Sequence, residues 1–311
     1  MKHLISIRDL SRGSAVALLD SAQQLSQVNQ RAVKSLPALR GKTVVNLFYE
    51  NSTRTRISFE IAAKRLSADV INFDAQASST SKGESLKDTA QTLEALGAAA
   101  IIVRHPMSGA AHALANRGWV SASIINAGDG RHEHPTQALL DALTIRQLKL
   151  SGSDLTGVKV LIVGDLEHSR VARSNILLLS LLGATVSVAG PAELVPEGIA
   201  AMGAKVYKSF DEALAEQPDV VMMLRVQLER MQKNEDFTTR DYVKNWSLDQ
   251  ARLGQLGKET VIMHPGPMNR GLEISNQAAN DPRSAVLRQV ENGLAVRMAV
   301  LHRVLSGEVT N

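Results

Sequence analysis

A run of hydroxyl and guanidinium side chains occupies residues 52–56, Ser-Thr-Arg-Thr-Arg. It follows an apolar stretch typical of a buried strand and begins a pattern typical of a helix. The amides in a helix's first turn lack partners within the helix, and Ser52 or Thr53 is a natural cap for them. Arg54 and Arg56 oppose the helix dipole, which disfavours cations at this end. A bound anion would resolve that conflict, so the run predicts a phosphate site. A solvated helix start with an ordinary cap is the alternative.

Other polar side chains also stand after predicted strands. Arg104 follows one of them, and a surface ion pair would explain it equally well. Lys82 lies in a Ser-rich loop, where a solvated cation is equally expected. The remaining candidates are His134, Gln137, Arg170, Arg225 and Gln227. Since the set contains no Ser-His-Asp arrangement and no pair of catalytic carboxylates, it favours catalysis by orientation and electrostatic stabilisation.

Three further motifs indicate which metals, cofactors and hydrogen-bonding groups the site uses. His132-Glu133-His134 has no third and fourth ligand at a recognisable spacing, so we expect hydrogen bonding by His134 and no metal. The segment after Gly164 lacks G-x-G-x-x-G, so we expect no dinucleotide cofactor, and a nicotinamide-dependent dehydrogenase is disfavoured. The prolines of His264-Pro265-Gly266-Pro267 would rigidify a backbone whose carbonyls can accept hydrogen bonds from an amide or amine.

The elements that must position these residues alternate between short apolar runs and helical patterns. Thr43–Phe48 is predicted to be a strand and Thr53–Leu66 a helix, and a second such series begins at the predicted strand Val158–Val163. Alternation of this kind indicates an α/β fold of two tandem domains, each a mostly parallel sheet flanked by helices. We expect a first domain at 1–135. The last helical pattern begins near Pro282, and its C-terminal part, at about 286–311, is expected to pack back on this domain. The second domain is expected at 136–285, with the active site in the cleft between the two.

The amino-acid composition limits the classes of protein to which the chain can belong. The 311 residues are 44% hydrophobic and 21% charged, as in ordinary globular proteins, and only 3% aromatic. Few aromatic residues, a formal charge of +4 and no dense basic run argue against a nucleic-acid partner. No apolar stretch is long enough for a membrane span, and no signal peptide is expected at the start. The absence of cysteine fits a cytoplasmic location.

Taken together and in order, these motifs resemble the aspartate/ornithine transcarbamoylase family, and its aspartate branch in particular, over essentially the whole chain. The residues on the family's carbamoyl phosphate positions are Ser52, Thr53, Arg54, Thr55, Arg104, His134, Gln137, Gly266 and Pro267. The residues on its aspartate positions are Lys82, Arg170, Arg225 and Gln227. The resemblance implies transfer of the carbamoyl group of carbamoyl phosphate to L-aspartate, which is the committed step of pyrimidine synthesis. It assigns the catalytic roles to Arg54, Thr55, Arg104 and His134, and it implies no cofactor.

The resemblance also defines the alternatives. An ornithine-specific enzyme shares the 52–56 run, but the cationic side chain of ornithine conflicts with Arg225. The ornithine branch also typically carries His-Cys-Leu-Pro where this chain has His264-Pro265-Gly266-Pro267, without any cysteine. A non-catalytic anion-binding or assembly subunit would be expected to have lost a cleft residue such as His134 or Arg104.

The family pattern implies partners as well. We expect a homotrimer with active sites at subunit interfaces, because the family delivers a loop lysine and a loop serine to the neighbouring subunit. Lys82 matches that lysine, and the serine is one of Ser78, Ser79 and Ser81. Regulatory or dihydroorotase-like chains are further expected partners of such a trimer.

Overall fold

The computed structural model describes residues 1–74, 83–149, 152–230 and 238–306. The chain forms two compact units, Met1–Leu140 with Glu291–Asn311, and Asp141–Val290. Lys82 and the three serines Ser78, Ser79 and Ser81 lie outside the described residues.

The first unit is built on a four-stranded parallel sheet. Its strands are β1 (Thr43–Phe48), β2 (Asp69–Asp74), β3 (Ala98–His105) and β4 (Ser123–Asp129). They lie in the order β2-β1-β3-β4. The helices that begin in this unit are α1 (Arg12–Ser26), α2 (Thr53–Arg65), α3 (Leu86–Ala95), α4 (Ala110–Asn116) and α5 (Pro135–Lys149).

The central strands of this sheet are buried along almost their whole length. In β1 every residue after Thr43 is buried, and all of β4 is buried. Such continuous burial is typical of parallel strands covered by helices on both faces. Leu4 extends the sheet beyond β4, since its amide donates to Ile124 O at 2.9 Å and its carbonyl accepts from Asn126 N at 2.8 Å.

The second unit repeats the design with five parallel strands. They are β5 (Lys159–Val163), β6 (Thr185–Ala189), β7 (Lys205–Tyr207), β8 (Val220–Met223) and β9 (Val261–Met263), in the order β7-β6-β5-β8-β9. The remaining helices are α6 (Arg170–Leu181), α7 (Phe210–Ala215), α8 (Thr239–Trp246), α9 (Gln250–Gln255), α10 (Asn276–Ala279) and α11 (Val286–Leu305).

Each sheet has one place where the chain changes the side on which it adds strands. In the first unit β1 lies between β2 and β3, and in the second β5 lies between β6 and β8. Ligands of open α/β sheets bind beyond the carboxyl ends of the strands at such points. The two parallel sheets flanked by helices confirm the predicted α/β class. Within the described residues, no helix combines the length and apolarity needed to cross a membrane.

Candidate functional site

Helix α2 begins just beyond the carboxyl end of β1, at the switch point of the first sheet. Ser52 is its N-cap residue, yet its side chain makes no capping hydrogen bond. The hydroxyls of Ser11, Ser85 and Ser169 each do make that bond at the start of α1, α3 and α6. The first amides of α2 and the hydroxyl of Ser52 are therefore not used by a side-chain cap, although a favoured cap residue is present.

The side chains that follow Ser52 differ in exposure in a way that suits an anion site. Thr53 and Arg54 are exposed, whereas Thr55 is buried. The arrangement leaves a cation and a hydroxyl at the surface and places a second hydroxyl beneath them. Tetrahedral oxyanions are bound by this combination of helix amides, hydroxyls and a guanidinium.

Arg104 lies next to this helix start because β3 is the neighbour of β1, with Arg104 in register with Phe48. Its Nη1 donates to Ala127 O at 3.2 Å, and its Nε lies 3.4 Å from Glu50 Oε2. Only 15% of the side chain is exposed. These contacts from two sides hold the guanidinium in a fixed orientation at the carboxyl end of the sheet.

The loop between β4 and α5 presents His134 and Gln137, both buried, at the start of α5. The residues before His134 stabilise this loop by hydrogen bonds. Asp129 accepts hydrogen bonds from Gly109 N at 2.6 Å and from Asn126 Nδ2 at 2.8 Å, and its carboxylate lies 3.1 Å from His132 Nδ1. Among the described residues no group of three or more His, Cys, Asp or Glu side chains is placed to hold a metal ion.

Glu133 ties the same loop to the N-terminal segment. Its carboxylate accepts a short hydrogen bond from the Ser6 hydroxyl and a second from Ile7 N at 2.8 Å. Burial raises the pKa of Glu133, and the hydrogen bonds from Ser6 and Ile7 counteract this only in part. Burying the charged form of Glu133, next to His134, therefore costs free energy.

Replacing Glu133 by glutamine should raise the thermal unfolding temperature at about pH 8 and have little effect at about pH 4. The folded pKa of Glu133 is raised above the value of 4.5. The folded state therefore binds more protons than the unfolded state between the two pKa values, and this group's contribution is lost as pH rises. A glutamine can still accept from Ile7 N and donate to the Ser6 oxygen. Unfolding scans across this pH range would measure the effect, with the exposed Glu259→Gln as control. An equal gain at every pH would contradict it.

In the second unit the predicted residues follow β5 and β8, on either side of the switch point. Arg170 is the first residue of α6 and is buried. Arg225 and Gln227 follow β8, and Gln227 is fixed by its Nε2, which donates to His168 O at 2.9 Å. Its backbone amide donates to Asp165 Oδ2 at 3.2 Å, and the same carboxylate lies 3.0 Å from His168 Nδ1. The segments carrying Arg170 and Arg225 are therefore tied to each other.

Arg225 forms a two-pronged ion pair with Glu229. Its Nη1 and Nη2 donate to the two carboxylate oxygens, the second at 3.2 Å. Burial raises the pKa of Glu229, but the hydrogen bonds from Arg225, a backbone hydrogen bond and the charges of Arg225 and Arg230 together outweigh that effect and lower the pKa overall. The guanidinium thus already holds a carboxylate in the bidentate geometry expected for a carboxylate ligand. Sequence reasoning missed this pair, and the spacing of four residues was the available signal.

Gly266 and Pro267 lie in a turn after β9. Gly266 has a φ of +67°, a conformation that favours glycine. Its amide donates to His264 Nδ1 at 2.9 Å, and His264 Nε2 lies 3.1 Å from Glu273 Oε1. The turn is therefore held by a fully buried histidine–glutamate pair.

The structure thus gathers the described candidates into two groups. The first unit brings together residues after three adjacent strands, β1, β3 and β4, and these residues are Ser52, Thr53, Arg54, Thr55, Arg104, His134 and Gln137. The second unit does the same after β5, β8 and β9, with Arg170, Arg225, Gln227, Gly266 and Pro267. The first group has the composition of a phosphate site, and Arg170, Arg225 and Gln227 of the second have the composition of a carboxylate site.

Comparison with protein families matches both units. Residues 2–147 match the family described as aspartate/ornithine carbamoyltransferase, carbamoyl-P binding domain. Residues 156–304 match the aspartate/ornithine carbamoyltransferase Asp/Orn binding domain.

Individual relatives match over nearly their full length. The aspartate carbamoyltransferase catalytic subunit of Micrococcus luteus is 60% identical, covering 98% of each chain. That of Clavibacter michiganensis is also 60% identical, covering 99% of this chain and 98% of the relative. Among solved structures, the catalytic subunit of M. jannaschii aspartate transcarbamoylase has a TM-score of 0.84 at 36% identity, covering 99% of this chain and all of that one. The Trypanosoma cruzi enzyme with carbamoyl phosphate and aspartate has a TM-score of 0.86 at 33% identity, covering 98% and 97%.

Proposed function

Because this chain belongs to the aspartate/ornithine carbamoyltransferase family, we propose that it transfers the carbamoyl group of carbamoyl phosphate to the amino group of L-aspartate. The products are N-carbamoyl-L-aspartate and phosphate. The observation that carries this proposal is the start of α2, where Ser52 and the first helix amides are left without a side-chain cap at the switch point of the first sheet. Similar enzymes have been crystallised with carbamoyl phosphate and aspartate, which supports the same pair of substrates here.

The first group of residues would hold carbamoyl phosphate. Ser52, Thr53, Arg54 and the α2 amides bind the phosphate, which is the leaving group. Thr55, Arg104 and His134 donate to the carbamoyl oxygen and stabilise the negative charge that develops on it when the amine attacks. Gln137 and the carbonyls of the Gly266–Pro267 turn hold the carbamoyl amino group.

The proton balance needs no protein base in this proposal. The amine nitrogen of aspartate forms a bond to the carbamoyl carbon, and the bond from that carbon to the phosphate oxygen breaks. The leaving phosphate takes the proton that the amine loses. His134 then acts as a neutral hydrogen-bond donor.

Arg170, Arg225 and Gln227 of the second group would hold aspartate by its two carboxylates. Arg170 and Arg225 each offer a guanidinium, whose planar pair of donors matches a carboxylate. Gln227 adds an amide that is already oriented by His168. Ornithine has a cation where aspartate has its second carboxylate, so Arg225 would repel it. This difference supports aspartate as the acceptor.

One assay distinguishes the acceptors. The chain is incubated with carbamoyl phosphate and either L-aspartate, L-ornithine or no acceptor, and released phosphate and carbamoylated amino acid are measured. Of these three mixtures, we expect turnover only in the one that contains L-aspartate. Turnover with ornithine, or phosphate release that does not depend on aspartate, would overturn the proposal.

The proposed assembly is a homotrimer in which Lys82 and a loop serine reach the neighbouring subunit's site. The relatives are named catalytic subunits, which supports an oligomer. We also propose that the reaction is a step of pyrimidine synthesis and that the enzyme acts in the cytoplasm. The cytoplasmic location is consistent with the absence of cysteine from the chain.

Mixing two inactive variants tests the shared site. Lys82→Ala and Arg54→Ala chains should each be inactive alone, but hybrids formed from both should recover part of the activity. Recovery is expected because some sites then receive both intact residues. Activity is measured after dissociation and reassociation of the mixed chains. Hybrids as inactive as the parent variants would contradict a site shared between subunits.

A further inference from the structure

A continuous line of buried hydrogen bonds runs from α5 to the turn after β9, all within the second unit. Asp141, on α5, accepts from Asn175 Nδ2 at 2.8 Å through Oδ2 and from Gln289 Nε2 at 2.7 Å through Oδ1. Gln289 Oε1 in turn accepts from the backbone amide of His264 at 3.0 Å. The His264 ring accepts from Gly266 N at 2.9 Å. All four side chains in this line are at most 3% exposed.

The backbone amide of His264 determines the direction of the bonds between it and Asp141. That amide only donates, so the Gln289 oxygen must face it and the Gln289 nitrogen must face Asp141. Because a backbone amide cannot reverse its role, this part of the line has a single arrangement of donors and acceptors. A buried network with one satisfied arrangement holds its members rigidly.

We propose that Gln289 is a positioning residue for carbamoyl phosphate. By holding His264 N, it fixes the end of β9 from which the Gly266–Pro267 turn projects. Its partner Asp141 is on α5, so the line ties that turn to the part of this helix that lies in the same unit. The inference rests on the proposed function, in which the carbonyls of this turn bind the carbamoyl amino group.

The network predicts which substrate is affected. Moving the turn by a fraction of an ångström misplaces the carbonyls that orient the carbamoyl group, and such misplacement costs about 10- to 100-fold in kcat/KM. The loss should appear in binding of carbamoyl phosphate. The KM for aspartate should change little, because Arg170 and Arg225 are held by other contacts.

Two single variants break the arrangement, and their combination restores it. In Asp141→Asn the new amide has one oxygen for two donors, so its nitrogen faces the nitrogen of either Gln289 or Asn175 and two donors are opposed in one of these two contacts. In Gln289→Glu two carboxylates face each other. In the double variant the amide nitrogen introduced at position 141 can donate to the carboxylate introduced at position 289, whose other oxygen still accepts from His264 N. The total charge is that of the natural chain, and each hydrogen bond has a donor and an acceptor again.

Calorimetric titration of the full chain with carbamoyl phosphate is the primary test, accompanied by the thermal unfolding temperature and by kcat and both KM values. The expected result is a Kd raised about 10-fold or more in each single variant and restored to within about threefold in the double variant. Gln255→Met, which changes an exposed glutamine of α9, serves as control and should bind as the natural chain does. A merely structural role would lower the unfolding temperature without the selective change in carbamoyl phosphate binding.

The outcomes separate this inference from the proposed function. Equal Kd values in the natural chain and both single variants would overturn the role of Gln289, as would a double variant that binds no better than the single variants. If the natural chain binds carbamoyl phosphate but transfers nothing to aspartate, only the proposed function fails. If the natural chain does not bind carbamoyl phosphate at all, both fail.

Discussion

Replacing Arg54 with alanine is expected to lower kcat/KM for carbamoyl phosphate by about a thousandfold, the size of effect seen when one preorganised electrostatic group is removed from a reacting centre. Arg54 is the exposed guanidinium at the start of α2, next to amides without a side-chain cap. A departing phosphate gains negative charge in the transition state, and Arg54 is proposed to stabilise that charge. Initial rates at varied carbamoyl phosphate and saturating aspartate would measure the loss.

The control for this prediction is the same substitution at the other end of the helix. Arg65 is in the last turn of α2, where its Nη1 donates to Lys34 O at 2.7 Å. Arg65→Ala should leave kcat/KM nearly unchanged. The thermal unfolding temperature of Arg54→Ala should stay close to that of the natural chain, because the side chain is exposed and lies where the helix dipole disfavours a cation. Similar rates for the two variants would contradict a phosphate site at the start of α2.

Replacing Arg225 with alanine is expected to lower kcat/KM for aspartate by about 100-fold, because a bidentate, charge-assisted pair with a substrate carboxylate is lost. The KM for carbamoyl phosphate should change far less. Arg225 already holds the carboxylate of Glu229, so aspartate must either displace Glu229 or share the guanidinium with it. Initial rates at varied aspartate and saturating carbamoyl phosphate would measure the effect.

Arg240, an exposed arginine of α8 in the same unit, provides the matched control. Arg240→Ala should leave the KM for aspartate unchanged. If Arg225→Ala instead raised the KM for carbamoyl phosphate and left that for aspartate intact, the assignment of Arg225 to aspartate would be wrong.

The strands of the fold were the most predictable part of the structure. β1 has the bounds predicted from its apolar run, Thr43–Phe48, because parallel strands covered on both faces are apolar throughout. Helix ends were less predictable. The last helix was expected from Pro282 and begins at Val286, since residues before it bond to β9, with Ala285 N donating to Ile262 O at 2.8 Å. Such a contact between distant segments leaves no trace in local periodicity.

The candidate site likewise has a part that could be predicted from the sequence and a part that could not. Residues after strands could be predicted as candidates because the topology of a parallel sheet brings all strand ends to one edge. Their partners could not be predicted in the same way. Gln289 is 25 residues from His264 and 148 from Asp141, and only the packing of α11 brings it to them. The exposure of the side chains could not be predicted either, since nothing in the local sequence distinguishes the buried Thr55 from the exposed Thr53.

The fate of the carbamoyl carbon tests the central claim most directly. The chain would be incubated with carbamoyl phosphate labelled with ¹³C and with ¹⁵N-aspartate, and the products followed by NMR. Transfer to aspartate predicts a product carbon split by one-bond coupling to nitrogen, formed in step with an equal amount of phosphate. If phosphate is released while the labelled carbon shows no coupling to the aspartate nitrogen, this chain does not carry out the transfer.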